Sequence, residues 1–217
     1  EPSRGPDSEN AVEFIIETCR ANEGVWLVPI GPLTNIALAL RAAPDLGSRI
    51  AGISLMGGGT FGNVTAAAEF NIWADPEAAD IVFTYGGKLL MSGLDVTHQL
   101  QATPSRLARI REIPGKMPQV LADLLAFYSK SYINSHRDMT GAAVHDPCAV
   151  LALTHPELFS ISPEHVVIEL TAERTRGMTL VDRRQYSKPV APNCDVVWGV
   201  EDEPAFDVLI EAIRFFT

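Results

Sequence analysis

Short apolar runs alternate with amphipathic stretches across residues 8–93, and this alternation restricts the possible folds more than any other feature of the chain. From Ser8 onward, Ala11, Val12, Ile15, Ile16 and Cys19 recur at spacings of three and four, which places them on one face of a helix. Gly24 ends that helix. Residues 25–30 (VWLVPI) then form an apolar run between glycines, the pattern of a strand covered on both faces. Gly31-Pro32 turns the chain, and Leu33, Ile36, Ala37 and Leu40 make a second helical stripe. Strands follow at 50–56 and 88–93, separated by a long loop and a helix that Asp75 caps and Pro76 opens. Strands joined through helices by short connections build a parallel sheet with right-handed crossovers.

Beyond Asp95 the pattern changes. Thr103-Pro104 can cap a short helix, and residues 116–135 form a longer one with Leu121, Leu124, Leu125 and Tyr128 on one face. Pro147 suits the first turn of an apolar helix at 148–153. Residues 166–170, 178–181 and 196–200 read as strands and 204–216 as a closing helix. No linker separates this end from the parallel half. The fold class expected is therefore α/β, a Rossmann-like open sheet, mostly parallel and flanked by helices, with residues 1–217 in a single domain.

The chemistry is expected in the loop after the 50–56 strand. Three glycines, Gly57-Gly58-Gly59, come first, followed by Asn63, Glu69 and Asn71 among small or apolar neighbours. In open α/β sheets ligands bind outside the carboxyl ends of the strands, where this loop lies. Two amides, which both donate and accept, and one carboxylate, which only accepts, suit a group with adjacent hydroxyls. The same residues also fill ordinary turns. Gly57 to Gly62 matches G-x-G-x-x-G, but a dinucleotide site needs a helix to open directly after the glycines, and here the helix start waits until Asp75.

A net charge of −10 argues against a nucleic-acid backbone as partner and is compatible with a cation or a neutral small substrate. No apolar run reaches the roughly 18 residues of a membrane span. Cys19, Cys148 and Cys194 are widely spaced and odd in number, as expected of reduced thiols in a cytoplasmic protein; Cys148 is expected in the core. The first residues, EPSRGP, lack Met and do not resemble a signal peptide, so the chain is expected to begin part-way through a longer one.

His145-Asp146 is the second constellation. At a helix start, Asp can cap with one oxygen and offer the other to a hard cation, and His can exchange a proton near neutral pH. A capping Asp beside a packing His is the commoner occurrence of such a pair. Zinc is disfavoured, because neither H-x-x-x-H nor paired cysteines occur. Asp95 and His98 end another strand and could line the same cleft, although a backbone hydrogen bond is the expected fate of His98. His136 and Arg137 fall in a polar segment expected at a solvated rim. No G-x-S-x-G elbow exists for a serine hydrolase.

Seven segments in order, GPLTNIA (31–37), MGGG (56–59), GN (62–63), AEFNI (68–72), DPEAA (75–79), GLDVTHQ (93–99) and VHDP (144–147), together resemble the inosine–uridine-preferring nucleoside hydrolase family, from about Asn10 to the C-terminus. The resemblance implies the fold of that family and hydrolysis of the N-glycosidic bond of ribonucleosides, giving ribose and free base, with bound Ca²⁺. It implies that Asn63, Glu69 and Asn71 bind ribose hydroxyls and that Met56 and Phe70 line the ribose pocket. Asp146 and the backbone carbonyl of Ile30 would be metal ligands, His145 would assist the departing base, and Arg137 would lie in the base-recognition segment. A homo-oligomer, dimer or tetramer, is also implied.

The family's aspartate-rich D-x-D-x-x-x-D-D segment is absent from this sequence, so the domain is expected to be incomplete at its N-terminus and to hold half a metal site. A second reading arises from that absence. The chain would then be a non-catalytic module that retains nucleoside or ribose, or an assembly partner.

Overall fold

The computed structural model describes residues 4–6, 8–135, 139–184 and 190–217. In chain order its elements are α1 (Ala11–Ala21), β1 (Trp26–Leu27), α2 (Thr34–Ala42), α3 (Leu46–Arg49), β2 (Gly52–Met56), α4 (Phe70–Ala74), α5 (Pro76–Phe83), β3 (Leu89–Ser92) and α6 (Leu94–Thr97). Next come β4 (Gln101–Ala102), α7 (Pro104–Arg111), α8 (Lys116–Ser135), β5 (Ala142–Ala143), α9 (His145–Thr154), β6 (Phe159–Ile168), β7 (Thr179–Asp182), β8 (Cys194–Val200) and α10 (Asp202–Phe215).

The main sheet has the order β1-β2-β3-β8-β6-β7. β1, β2, β3 and β8 run parallel, while β6 is antiparallel to both of its neighbours. The fold is thus α/β with a mostly parallel sheet, as the alternation of apolar runs requires. Helices cover both faces, so the central strands are buried throughout: every residue of β2 and β3 is buried. Ile53, Leu55, Leu89 and Met91 face a core shared with α1, α2 and α5, and Leu90 and Val197 face a second core built from α7, α9 and α10.

Several boundaries differ from the sequence expectation for identifiable reasons. α1 opens at Ala11 rather than Ser8, because Asn10 accepts the amide of Glu13 and acts as the cap. The apolar run 25–30 pairs over only two residues, since Pro29 has no N–H to give a ladder; its carbonyl still accepts from Met56 N at 3.0 Å. α4 forms where the pattern predicts loop, and its cap is Glu69, an unusual residue for that position. On α8, Leu124 is 62% exposed, so the stripe expected there is not uniformly buried. All three cysteines are free and buried. No helix among the described residues is long and apolar enough to cross a membrane.

The β6–β7 hairpin ties the far edge of the sheet to the loop after β2. β6 leaves β8 after Glu164 and pairs with β7 from His165 to Ile168. The turn end of this hairpin lies against residues 68–77: Ala68 bridges Met178, Arg176 pairs with Glu77 at 2.6 Å, and Gly177 packs on the backbone of Trp73.

Candidate active site

The glycine loop leaves β2 at the carboxyl edge of the parallel strands. Gly58 and Gly59 have φ of +73° and +147°, which only glycine adopts without strain. Three consecutive amides of this loop are each taken by a side chain from a different part of the chain. Gly58 N donates to Glu69 Oε2 at 2.9 Å, Gly59 N to Thr179 Oγ1 at 2.9 Å, and Thr60 N to Asp95 Oδ2 at 2.8 Å. A phosphate-binding loop must keep such donors for its ligand. These are already engaged, and the first helix after the glycines begins at Phe70. The dinucleotide reading therefore fails on chemistry as well as on spacing.

Asn63, Glu69 and Asn71 occupy one hydrogen-bonded unit. Glu69 Oε2 accepts from Asn71 N and Ile72 N as well as Gly58 N, which starts α4 and fixes the carboxylate. Asn63 Oδ1 accepts from Phe70 N at 2.9 Å, and Asn71 Nδ2 donates to the Met56 carbonyl at 3.0 Å. Each side chain commits one polar atom to the loop. Among the described residues Glu69 Oε1, Asn71 Oδ1 and Asn63 Nδ2 are left over, two acceptors and one donor. Glu69 is 3% exposed, and burial pushes its pKa above the ordinary value even though backbone amides pull it down. Met56 is buried against Leu94 and Ala149, whereas Phe70 is half exposed with its ring 6.4 Å from that of Trp73.

His145 begins α9 and sits in a cluster that the sequence did not reveal. Its Nδ1 lies 2.7 Å from Thr97 Oγ1 and its Nε2 3.1 Å from the Tyr132 hydroxyl. His98 does not follow the backbone-bonded expectation. Its Nε2 is also 3.1 Å from Tyr132, and its ring is 5.6 Å from His145. Burial pushes the Tyr132 phenol up to about 12, so it stays protonated at neutral pH and has one proton to share between two imidazoles. Phe61, from the glycine loop, contacts His98 edge-on at 5.4 Å. Met56 packs on Ala149, one turn along α9 from His145. Through these contacts the loop and the His145–Asp146 pair form one continuous assembly.

Asp146 departs from the capping expectation. α9 starts at His145, two residues earlier than an Asp146 cap would set it, Val144 occupies the cap position, and no side chain caps the helix. Asp146 is exposed to solvent, yet the protein around its carboxylate still raises its pKa by desolvation, with no cation among the described residues offsetting it. An accessible carboxylate suits a hard cation. Ile30, whose carbonyl is the other ligand expected, is 51% exposed three residues beyond β1. The number of donors falls short: no group of three His, Cys, Asp or Glu that could hold a metal occurs among the described residues. Buried Ser92 Oγ, at the end of β3, has no hydrogen-bond partner among them. Arg137 lies outside the described residues.

Sequence reasoning missed Tyr132, Thr97 and Thr179. Tyr132 lies one helical turn beyond Tyr128, a spacing that could have drawn attention to it. Nothing local distinguishes Thr97 or Thr179.

Comparison with known proteins gives a consistent result. Residues 1–207 match the family model described as inosine-uridine preferring nucleoside hydrolase. The chain is 44% identical to the pyrimidine-specific ribonucleoside hydrolase RihA of Shewanella sp. strain MR-4, over 100% of this chain and 68% of that protein. Among solved structures it is similar to a purine-preferring ribonucleoside hydrolase from Gardnerella vaginalis, with a TM-score of 0.90, 35% identity and coverage of 100% of this chain and 70% of the other. A plant nucleoside hydrolase aligns with a TM-score of 0.88 and 29% identity, covering 98% and 69%.

Proposed function

Because the chain belongs to the inosine-uridine preferring nucleoside hydrolase family, an enzymatic one, we propose that it holds a ribonucleoside by its sugar and cleaves the N-glycosidic bond to ribose and free base. The observation that carries this reading is the set of polar atoms left over in the loop after β2. A vicinal diol offers two hydroxyl protons and oxygens that accept. Glu69 Oε1 and Asn71 Oδ1 supply the acceptors, and Asn63 Nδ2 supplies the donor. Met56 and Phe70 give this pocket its apolar wall.

Positive charge develops on the sugar ring as a glycosidic bond breaks, and an adjacent carboxylate stabilises it. Glu69 is fixed by three amides, so it reorganises little as that charge appears. The departing base needs a proton. His145, held between Thr97 and Tyr132, is placed to deliver one, a contribution of about 10²–10⁴-fold for a positioned acid. Tyr132 donates to one imidazole and accepts from the other, so a proton given up by His145 can be replaced from His98. Arg137 is proposed to face the base.

Ca²⁺ is proposed as the metal, with Asp146 and the Ile30 carbonyl among its ligands. When bound it would supply charge to grip the sugar hydroxyls and to acidify a water. Calcium takes six to eight oxygens, so these two donors do not suffice alone. A cytoplasmic homo-oligomer, dimer or tetramer, completes the proposal.

The test is Glu69→Ala assayed on uridine and inosine, uridine first because the 44% identical relative is pyrimidine-specific. A fall of about ten- to hundredfold in kcat/KM is expected, as for a lost hydrogen bond to a charged group. Unchanged turnover of both nucleosides refutes the sugar assignment. Calorimetric heat with ribose but no reducing sugar released from either nucleoside would instead identify a binding module.

A further inference from the structure

We propose that Thr179, on β7 and far in sequence from the glycine loop, is a positioning residue for the Glu69 carboxylate. This deepens the function proposed above and rests on it. Thr179 is 2% exposed, and its hydroxyl engages both backbone groups of Gly59. It accepts from Gly59 N at 2.9 Å and donates to the Gly59 carbonyl at 2.5 Å. These roles are unambiguous, since an amide only donates and a carbonyl only accepts. One side chain therefore holds the peptide planes on both sides of Gly59.

The preceding residue is Gly58, whose amide anchors Glu69 Oε2. Its φ is +73°, and a Cβ there would meet Thr179 Cγ2 at 2.8 Å and Met91 Sδ at 3.1 Å. Thr179 thus sets the Gly59 planes with its hydroxyl and closes the space beside Gly58 with its methyl. Asp95 holds the next amide along, that of Thr60. Without the Thr179 hydroxyl, two backbone groups of Gly59 lose their partner in a buried place and must turn to find others. The Gly58 amide turns with them, and Glu69 loses one of its three anchors. A displacement of 1 Å in a positioning group is enough to cost about a hundredfold in rate.

The experiment compares Thr179→Val, Thr179→Ser, Glu69→Gln and the Val/Gln double variant in the full chain. It measures kcat and KM for uridine and calorimetric affinity for ribose. Valine keeps the shape and removes the hydroxyl; serine keeps the hydroxyl. The expected result is a loss of about tenfold in kcat/KM and in ribose affinity for Thr179→Val, with Thr179→Ser within about twofold of the parent. In the Glu69→Gln background, Thr179→Val should add little, because residues that act through one another are not additive. A full multiplicative loss in the double variant overturns the proposal, as does a Thr179→Ser enzyme as poor as Thr179→Val. If Glu69→Gln itself leaves activity and ribose binding unchanged, the sugar reading fails, and Thr179 loses its role with it. Should Thr179→Val not fold, Thr179→Ser decides: parental ribose affinity supports the proposal, and a tenfold loss overturns it.

Discussion

Thr97 Oγ1 lies 2.7 Å from Nδ1 of His145, joining the end of α6 to the first residue of α9. The hydroxyl fixes which way the imidazole plane faces, while the opposite nitrogen meets Tyr132. Thr97 is fully buried, so bulk water does not replace the contact. Thr97→Val should therefore lower kcat by about tenfold or more while KM stays nearly constant, as expected for an interaction that matters in the transition state. Steady-state kinetics on uridine check this; an equal rise in KM with kcat preserved would contradict it.

Tyr132→Phe removes the hydroxyl that faces both imidazoles. Removal of a half-buried, paired hydroxyl costs about 1 kcal/mol of stability. The expected effect on kcat is larger, about tenfold to a hundredfold, because His145 loses the hydroxyl that links its Nε2 to that of His98. Thermal unfolding and kcat measured on the same preparation separate the two effects.

The alternating pattern of the sequence made the sheet legible, because central strands buried on both faces are apolar without interruption, as Ile53, Leu55, Leu89 and Met91 are. The loop that carries Asn63, Glu69 and Asn71 was legible too, since three polar side chains stand out in a run of small and apolar residues. Their division of labour was not. That Glu69 gives one oxygen to three amides depends on where Gly58 arrives, a matter of backbone geometry. The Tyr132 cluster was hidden for another reason. Tyr132, His98 and His145 come from three places in the chain, and only packing brings them together. Thr179 is more remote still, 120 residues from its partner Gly59.

Glu69 should leave a signature in the pH dependence of stability. Burial raises its folded pKa above the ordinary 4.5. The folded state therefore holds the proton more tightly than the unfolded chain does, and the stabilisation from protonation is complete below pH 4.5. It is lost as pH rises through the raised folded value. Glu69→Gln cannot titrate, so the melting temperature of the parent minus that of the variant should fall as pH increases through this window. Urea or thermal unfolding from acid to neutral pH measures it; a flat difference contradicts the burial argument.

Asp95 accepts from Thr60 N at 2.8 Å and from Thr60 Oγ1 at 2.5 Å. Asp95→Ala leaves that amide and hydroxyl without their acceptor, a loss of about 1–3 kcal/mol. Asp95→Asn, which keeps one acceptor oxygen, should recover part of it. Denaturant midpoints of the two variants give the comparison.

Asp146→Asn should shift the free-Ca²⁺ concentration for half-maximal hydrolysis upward by about tenfold or more, because a neutral amide binds a hard cation less well than a carboxylate. Activity in chelator-buffered calcium tests this. A midpoint identical to that of the parent removes Asp146 from the ligand set.

The turn end of the β6–β7 hairpin reaches residues 68–77 through Ala68, Glu77 and Trp73. Its far end, where β6 pairs with β8, shares the main sheet. A protease nick at residues 172–175 would thus spare the strand ladder yet uncouple Thr179 from its support. Such a clipped protein would remain folded while its sugar affinity fell, so length changes in this turn should be tolerated by the scaffold and felt by the substrate.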